Sequence, residues 1–392
     1  MDSRVRLHRL YRELLLDGIA PFWLRHGVDR EYGGVLSCMT EDGRVLSGDK
    51  YIWSQARSVW TFAALYNRVD RNPAFLEAAR NSVRFLLAHG RDAEGRWVYR
   101  TTREGEVIEG PVSIYADAFA VYGLSEFCRA EADAALLEVA RATLRQARRR
   151  TESPDFHETA PYRLPPGRRN HGVPMIFLEV SQEFAETAAD PWAEAYASEC
   201  AGRILNHFVR PHRRLLLEFL SDRYEELPPP EGTYVMPGHA IESMWFVLHW
   251  ARRRGDAATI ARAAEVIRWH LEAGWDPLHG GIFLGIDAEG HPPFLPNAEV
   301  KVWWPHTEAL YALLLAYELT GARWCLDWYE RLHEWSFAHF AMPETGEWRQ
   351  RLDRAGRPIT DVIGLPVKDP FHLPRAAILI VQLLGGAGAR DF

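Results

Sequence analysis

Hydrophobic positions recur at helical spacing in twelve stretches of the chain, near residues 3–26, 53–69, 73–89, 113–129, 132–150, 170–186, 190–209, 238–253, 256–272, 302–320, 322–341 and 371–384. The stretches are of two alternating kinds. The odd-numbered ones are amphipathic: in 73–89, Glu77, Arg80, Asn81 and Arg84 share a face while Phe75, Leu76, Val83, Phe85 and Leu86 turn away. In 256–272, Arg262, Glu265, Arg268 and Glu272 stand opposite Ile260, Val266, Ile267 and Leu271. The even-numbered ones are apolar nearly all round, as in Val59–Tyr66, Met244–Leu248 and Ala376–Val381. A helix apolar on every side is enclosed by other elements, so strict alternation predicts an outer and an inner layer.

The outer helices are followed by short stretches of alternating side chains that end at Gly turns: Gly33–Gly43, Trp97–Gly105, Gly280–Gly290 and Trp348–Gly356. Such stretches read as β-hairpins, and the unit recurs roughly every 60 residues. Six helix pairs with parallel inner helices predict an all-α (α/α)6 barrel, a single domain over 1–392, with short hairpins in the loops at one end. An open solenoid would need amphipathic caps at both ends. Here the last helix, 371–384, is apolar, which favours a closed ring.

Closure would gather the six inner-helix N-termini at one mouth, and unusual residues sit at those ends. They are Trp53 and Arg57, Tyr115 and Asp117, His171, His239 and Glu242, the run Trp303-Trp304-Pro305-His306-Thr307-Glu308, and Phe371, His372 and Arg375. Aromatic walls with a few convergent polar groups suit a small molecule, and rings, Arg and carboxylates together suit a sugar. Histidine titrates near neutral pH, so it suits proton transfer. Helix N-termini disfavour imidazolium and favour an enediolate oxyanion. Each of these residues also has a plainer reading: His306 as a hydrogen-bonded core residue, His171 as part of a loop, Trp303 and Trp304 as a barrel plug, Glu242 and Glu308 as partners of the helix dipole. His8, His89, His212, His270, His279, His333 and His339 fall on outer helices or loops and read as packing or surface residues.

Composition narrows the class. A net charge of −7 leaves no electrostatic footprint for nucleic acid or an anionic membrane, and there is no signal-peptide core or run of about 18 apolar residues. Cys38, Cys128, Cys200 and Cys325 lie too far apart for a zinc or redox motif, so they read as reduced thiols of a cytoplasmic protein. His239-x-x-Glu242 and His306-x-Glu308 have loosely ligand-like spacing, but no His-Glu-x-x-His pattern, dinucleotide fingerprint or P-loop occurs. No metal and no cofactor is expected.

Five motifs in order resemble the N-acylglucosamine 2-epimerase family: Gly33-Gly34 through Asp49–Trp60, Pro237–Glu242, Trp275–Gly281, Lys301–Ala309 and Phe371–Arg375. The resemblance implies a cofactor-independent (α/α)6 barrel that epimerises a sugar at carbon 2, of the N-acyl-D-glucosamine/N-acyl-D-mannosamine type, or that interconverts aldose and ketose. It makes His239 and His372 the proton-transferring pair. Arg57 binds the oxyanion or hydroxyls, Glu242 orients a histidine, and Glu308 contacts the sugar with His306. Tyr115, Asp117, Trp303, Trp304 and Arg375 complete the expected sugar site. The mannose- and cellobiose-acting branches carry a further histidine inside the sixth helix, where this chain has Met175–Glu179 and none. A stimulating role for ATP and a homodimeric state are left open. A glycoside hydrolase using Asp117, Glu242 and Glu308, and a non-catalytic binding protein, are the alternatives from other classes.

Overall fold

The computed structural model describes residues 3–157, 164–359 and 368–386. Helix α1 opens at Ser3–Glu13 and runs on to Gly27 through wider, π-type turns. The others are α2 (Ile52–Arg68), α3 (Pro73–His89), α4 (Ile114–Ala130), α5 (Ala134–Thr151), α6 (Gly172–Ala188) and α7 (Pro191–Arg203). Then follow α8 (Pro237–Arg254), α9 (Ala257–Gly274), α10 (Trp303–Thr320), α11 (Trp324–His339) and α12 (His372–Gly385). Each even-numbered helix packs on the next, and α12 packs back on α2. The ring is closed. Each inner helix also packs on the outer helix that follows it, and α12 packs on α1. This is the (α/α)6 barrel read from the two kinds of helical pattern. Among the described residues no helix is long and apolar enough to cross a membrane.

The seam between first and last inner helices is hydrogen-bonded as well as packed. Ser54 Oγ donates to Asp369 Oδ2 at 3.0 Å, Arg57 pairs with the same oxygen at 3.1 Å, and the Thr61 hydroxyl donates to the Pro370 carbonyl.

Four outer helices carry a side-chain cap at the N-terminus, unlike α11 and the inner helices. Asn72, Asp133, Asp190 and Asp256 accept hydrogen bonds from first-turn N–H groups of α3, α5, α7 and α9. The N-cap residues of the inner helices, Tyr51, Ser113, His171, Met236, Val302 and Phe371, make no such bond with their side chains. One residue earlier, Asn170 Oδ1 does accept from Gly172 N at 2.6 Å. Ile52 N–H and Trp303 N–H are taken by the Tyr99 and Gln350 carbonyls, so the first turns of the inner layer lack an N-cap side chain without being wholly unpaired.

The strands are short, and their pairing differs from a set of local hairpins. Cys38–Met39 with Val45–Ser47, Arg100–Thr101 with Val107–Glu109, Val209–Arg210 with Leu215–Leu216, and Ala341–Met342 with Glu347–Trp348, are hairpins. Elsewhere the strand leading into an inner helix pairs with the loop after the following outer helix. The pairs are Lys50–Tyr51 with Arg100–Thr101, Arg168–Asn170 with Phe219–Ser221, Tyr234–Val235 with Ile286–Asp287, and Lys301–Val302 with Arg351–Leu352. The stretches Gly280–Gly290 and Trp348–Gly356 therefore find their ladders outside themselves. Backbone groups entering a buried helix need partners, and these distant edges supply them.

Two of these crossings carry the same clasp. Lys50 Nζ donates to Asp29 Oδ2 (3.0 Å), Gly33 O (2.7 Å) and Arg103 O (2.7 Å), and Arg103 also pairs with Asp29. Lys301 Nζ donates to Asp276 Oδ2 (3.0 Å) and Arg354 O (2.6 Å), with Arg354 on Asp276. Each Asp precedes a Gly-Gly pair at positive φ, Gly33-Gly34 and Gly280-Gly281, where L residues are strained. At the opposite mouth a cavity of about 610 Å³ is lined by charged residues that already pair with one another: Arg68 with Glu126 and Glu183, and Arg129 with Glu183 and Glu186.

Breaking a buried ion pair from one side leaves an uncompensated charge. Lys50→Met is expected to cost about 3 kcal/mol in denaturant unfolding. Arg357→Ala, which removes an exposed partner of Asp353, should cost no more than about 0.5 kcal/mol.

Candidate active site

Burial along the inner helices singles out the mouth. From Ile52 to Leu65 every residue of α2 is buried except Arg57, and from Ile114 to Cys128 every residue of α4 except Tyr115. In α6 the exception up to Ala185 is Val173, in α8 up to Leu248 it is His239, and α10 opens with half-buried Trp303 and Trp304 before burial resumes. Five helices built for enclosure thus expose a residue or two near their start, while α12 is buried from His372 to Val381. Trp304 stands against the His239 and His372 imidazoles and Trp303 against His372, whereas Val173 lines a separate cavity with Thr151, Arg168 and Arg203.

Two histidines there are each held by a buried carboxylate. His239 Nδ1–H donates to Glu218 Oε1 at 2.9 Å, and His372 Nδ1–H donates to Glu308 Oε1 at 2.8 Å. Trp304 touches both imidazoles, its ring 5.2 Å from His239 and 5.7 Å from His372 between centroids. Gly238 makes that approach possible: a Cβ there would lie 2.6 Å from the Trp304 ring. Burial, helped by the Arg57 charge, pulls His372 down to about 3, so its imidazole is neutral at physiological pH. Burial alone would push Glu218 up, but His239 and His171 outweigh it and hold the carboxyl at about 2.

Beneath His372, Arg375 binds the carboxylates of both Glu242 and Glu308 (2.8 Å to the latter), and Trp245 Nε1 donates to Glu308 Oε2 at 2.9 Å. Burial pushes Glu308 up, against the pull of Arg375. Arg57, the more exposed guanidinium, lies 4.0 Å over the Phe119 ring and 4.7 Å over Phe371.

Several expected contacts fall elsewhere. His306 is fully buried: Ile282 N–H donates to its Nε2 at 2.9 Å and its Nδ1–H donates to Val302 O at 2.8 Å. Both nitrogens are committed to backbone, so neither is left to bond a sugar and the structure gives His306 a packing and hydrogen-bonding role. Glu308, at 1% exposure and with both oxygens bonded, supports His372 from beneath. Glu242 does not orient a histidine directly; it pairs with Arg375, and the orienting carboxylates are Glu218 and Glu308. Asp117 is buried against Arg150 at 2.8 Å, and burial raises it to about 6. Sequence reasoning missed Glu218 and Asp369. The signal for Glu218 was a lone acid within the apolar run Leu215–Leu220.

Two clusters bring three donor groups within 4.8 Å of one another, His171–Glu218–His239 and Glu242–Glu308–His372. The second already holds the Arg375 cation between its carboxylates. In the first, the Glu218 oxygen nearest His239 is taken by the Nδ1 proton. We assign no metal to either. Glycoside hydrolysis needs two carboxylates about 5–5.5 or 6.5–9.5 Å apart across a sugar. Glu242 and Glu308 instead share one guanidinium.

Comparison with known proteins gives a consistent match. The sequence profile of N-acylglucosamine 2-epimerase (GlcNAc 2-epimerase) fits residues 34–374. The N-acylglucosamine 2-epimerase of Bos taurus is 33% identical over 393 residues, covering 97% of this chain and 92% of the bovine one. That of Homo sapiens is 32% identical over 384 residues, covering 96% and 90%. Among solved structures, cellobiose 2-epimerase from Bacillus thermoamylovorans B4167 superposes with a TM-score of 0.82 at 20% identity, over 96% of this chain and 98% of that one.

Buried neutral histidines give the stability a pH dependence of definite sign. Burial lowers His270 to about 4 and His306 to about 3, whereas both take up protons near 6.5 once unfolded. Their contribution is full above pH 6.5 and is lost as pH falls below it, because only the unfolded chain gains the protons. Each should remove about 1 kcal/mol between pH 7.5 and 5.5. His306→Gln should make the acid limb of the unfolding free energy shallower by that amount in urea titrations at the two pH values; an unchanged slope would contradict this account.

Proposed function

Because the chain belongs to the N-acylglucosamine 2-epimerase family, we propose that it inverts carbon 2 of an open-chain N-acylhexosamine without a cofactor, passing the proton between His239 and His372. A sugar 2-epimerase is the activity that nearly full-length identity to such enzymes supports. The observation that carries the two-histidine reading is Trp304 in contact with both imidazoles, each turned by its own carboxylate.

With Nδ1 committed to a carboxylate, each histidine works through Nε2. One takes the carbon-2 proton, the C–H electron pair moves into a carbon 1–carbon 2 double bond, and the aldehyde oxygen becomes an enolate oxygen beside the carbon-2 acylamino group. The other histidine delivers a proton to the opposite face. Arg57 binds the charge that develops on oxygen, aided by the positive ends of the inner-helix dipoles. His372, neutral at physiological pH, has an unprotonated Nε2 able to accept the carbon-2 proton. Trp303, Trp304 and Tyr115 form the walls against which the sugar chain and acyl group lie. The four cysteines, all buried and unpaired, support a reducing compartment, the cytoplasm.

Incubation of N-acetylated and plain hexoses in deuterium oxide tests the reaction. Deuterium at carbon 2 with the aldehyde retained is expected. Ketose formation would make the protein an aldose–ketose isomerase, and no exchange into any hexose would sink the proton-transfer reading. His239→Asn and His372→Asn should each lower kcat by about 10²–10⁴ with the melting temperature nearly unchanged. Glu218→Gln should lower kcat by roughly tenfold or more and leave KM close to wild type.

A further inference from the structure

His171, the N-cap residue of α6, is the odd histidine of the mouth. It is fully buried, and among the described residues neither ring nitrogen has a hydrogen-bond partner. The structural histidines of this protein look different. His270 accepts from Leu216 N–H at 2.9 Å and donates to Val266 O at 2.8 Å, and His306 is bonded at both nitrogens in the same way. Leaving buried polar groups unpaired is costly, so packing alone does not account for an imidazole at this place.

What His171 faces is the carboxylate that holds His239. Its Nδ1 lies 3.7 Å from Glu218 Oε2, an oxygen that itself has no hydrogen bond, while Oε1 of the same group binds His239. The backbone keeps this arrangement in register: His171 N–H donates to Glu218 O at 2.9 Å, next to the ladder pairing Asn170 with Phe219. The two imidazoles stand 6.5 Å apart between centroids, and Phe208 packs on His171 at 5.5 Å. The charged and titratable groups around His171 are Glu218, His239 and Glu242, with His270 behind it.

We propose that His171 is a positioning residue that tunes His239 through the carboxylate they share. The inference rests on the reading of His239 as a proton-transfer group. A shift of under 1 Å closes the 3.7 Å gap to a hydrogen bond. With His171 N–H on Oε2, less of the Glu218 charge is left for the His239 imidazolium, and His239 binds a proton less tightly. Without it, Glu218 serves His239 alone and His239 becomes more basic.

The experiment reads His239 directly. In full-length protein with labelled histidines, NMR titration of His239 is compared between wild type, His171→Phe and His171→Asn, beside pH profiles of kcat/KM. The Phe variant should raise the His239 titration midpoint and the acid limb of kcat/KM together by about 0.5–1 pH unit. The Asn variant, which keeps an N–H donor, should lie close to wild type. On a Glu218→Gln background the Phe substitution should move nothing. In the wild type alone, His171 and His239 resonances should titrate with a shared, biphasic profile, a reading that needs no variant to fold. If His239 titrates identically in all forms and independently of His171, the proposal is overturned. If the titrations couple but no hexose exchanges its carbon-2 proton, the coupling stands and the epimerase reading fails.

Discussion

A guanidinium buried to 1% exposure is several kcal/mol unfavourable unless it is paired and hydrogen-bonded. Arg375 on α12 is paired through Nη2 with carboxylates from two other inner helices, Glu242 on α8 and Glu308 on α10, while its Nε and Nη1 have no hydrogen-bond partner among the described residues. Three of the six inner helices are therefore fixed in rotation and height by one charge. The orientation of His372 follows from it. Glu308 has one oxygen on Trp245 and the other shared by Arg375 and His372, so the imidazole can take its bond in one direction only. An apolar core would hold the same helices together, but it would not choose between neighbouring rotations; the ion cluster does.

The opposite side of the mouth is held by a different device. His239 takes its bearing from Glu218, which arrives on a loop segment beside the strand Phe219–Ser221 rather than on an inner helix. The two halves of the pocket are thus independently supported, one by the helical ring and one by the strand crossing that enters α6. Trp304 is where the two supports meet.

Much of this was legible in the chain and some was not. The layers could be read because enclosure demands helices apolar on every side, as in Val59–Tyr66 and Met244–Leu248, and water-facing helices cannot have that pattern. The gathering of residues at one mouth followed from parallel inner helices. His306 was drawn into the mouth because nearness to a helix start says nothing about direction. At about 100° per residue, Trp304 and Glu308 share a face one turn apart, while His306 lies on the far side of the helix. His239 with Glu242, and His372 with Arg375, keep the three-residue spacing that shares a face. Glu218 and Asp369 escaped notice because they sit in segments without helical period, where one acid among apolar neighbours carries no positional information. The strand pairings escaped for a related reason: a two-residue strand leaves almost no pattern, and its partner lies about 50 residues away.

The hydrogen bonds at the seam carry a consequence for how the chain reaches its working form. Ser54, Arg57 and Thr61 meet Asp369 and Pro370 across more than 300 residues, whereas the outer–inner helix pairs form between sequence neighbours. Contacts of such long range come late, after local units have collapsed. A chain emerging from the ribosome can build five of the six helix pairs, with His239 already seated, before its last inner helix exists. Until that helix arrives, Arg57 has no anchor and His239 has no counterpart. The chemistry is thereby tied to completion of the ring, and unfinished chains are left without a working pocket.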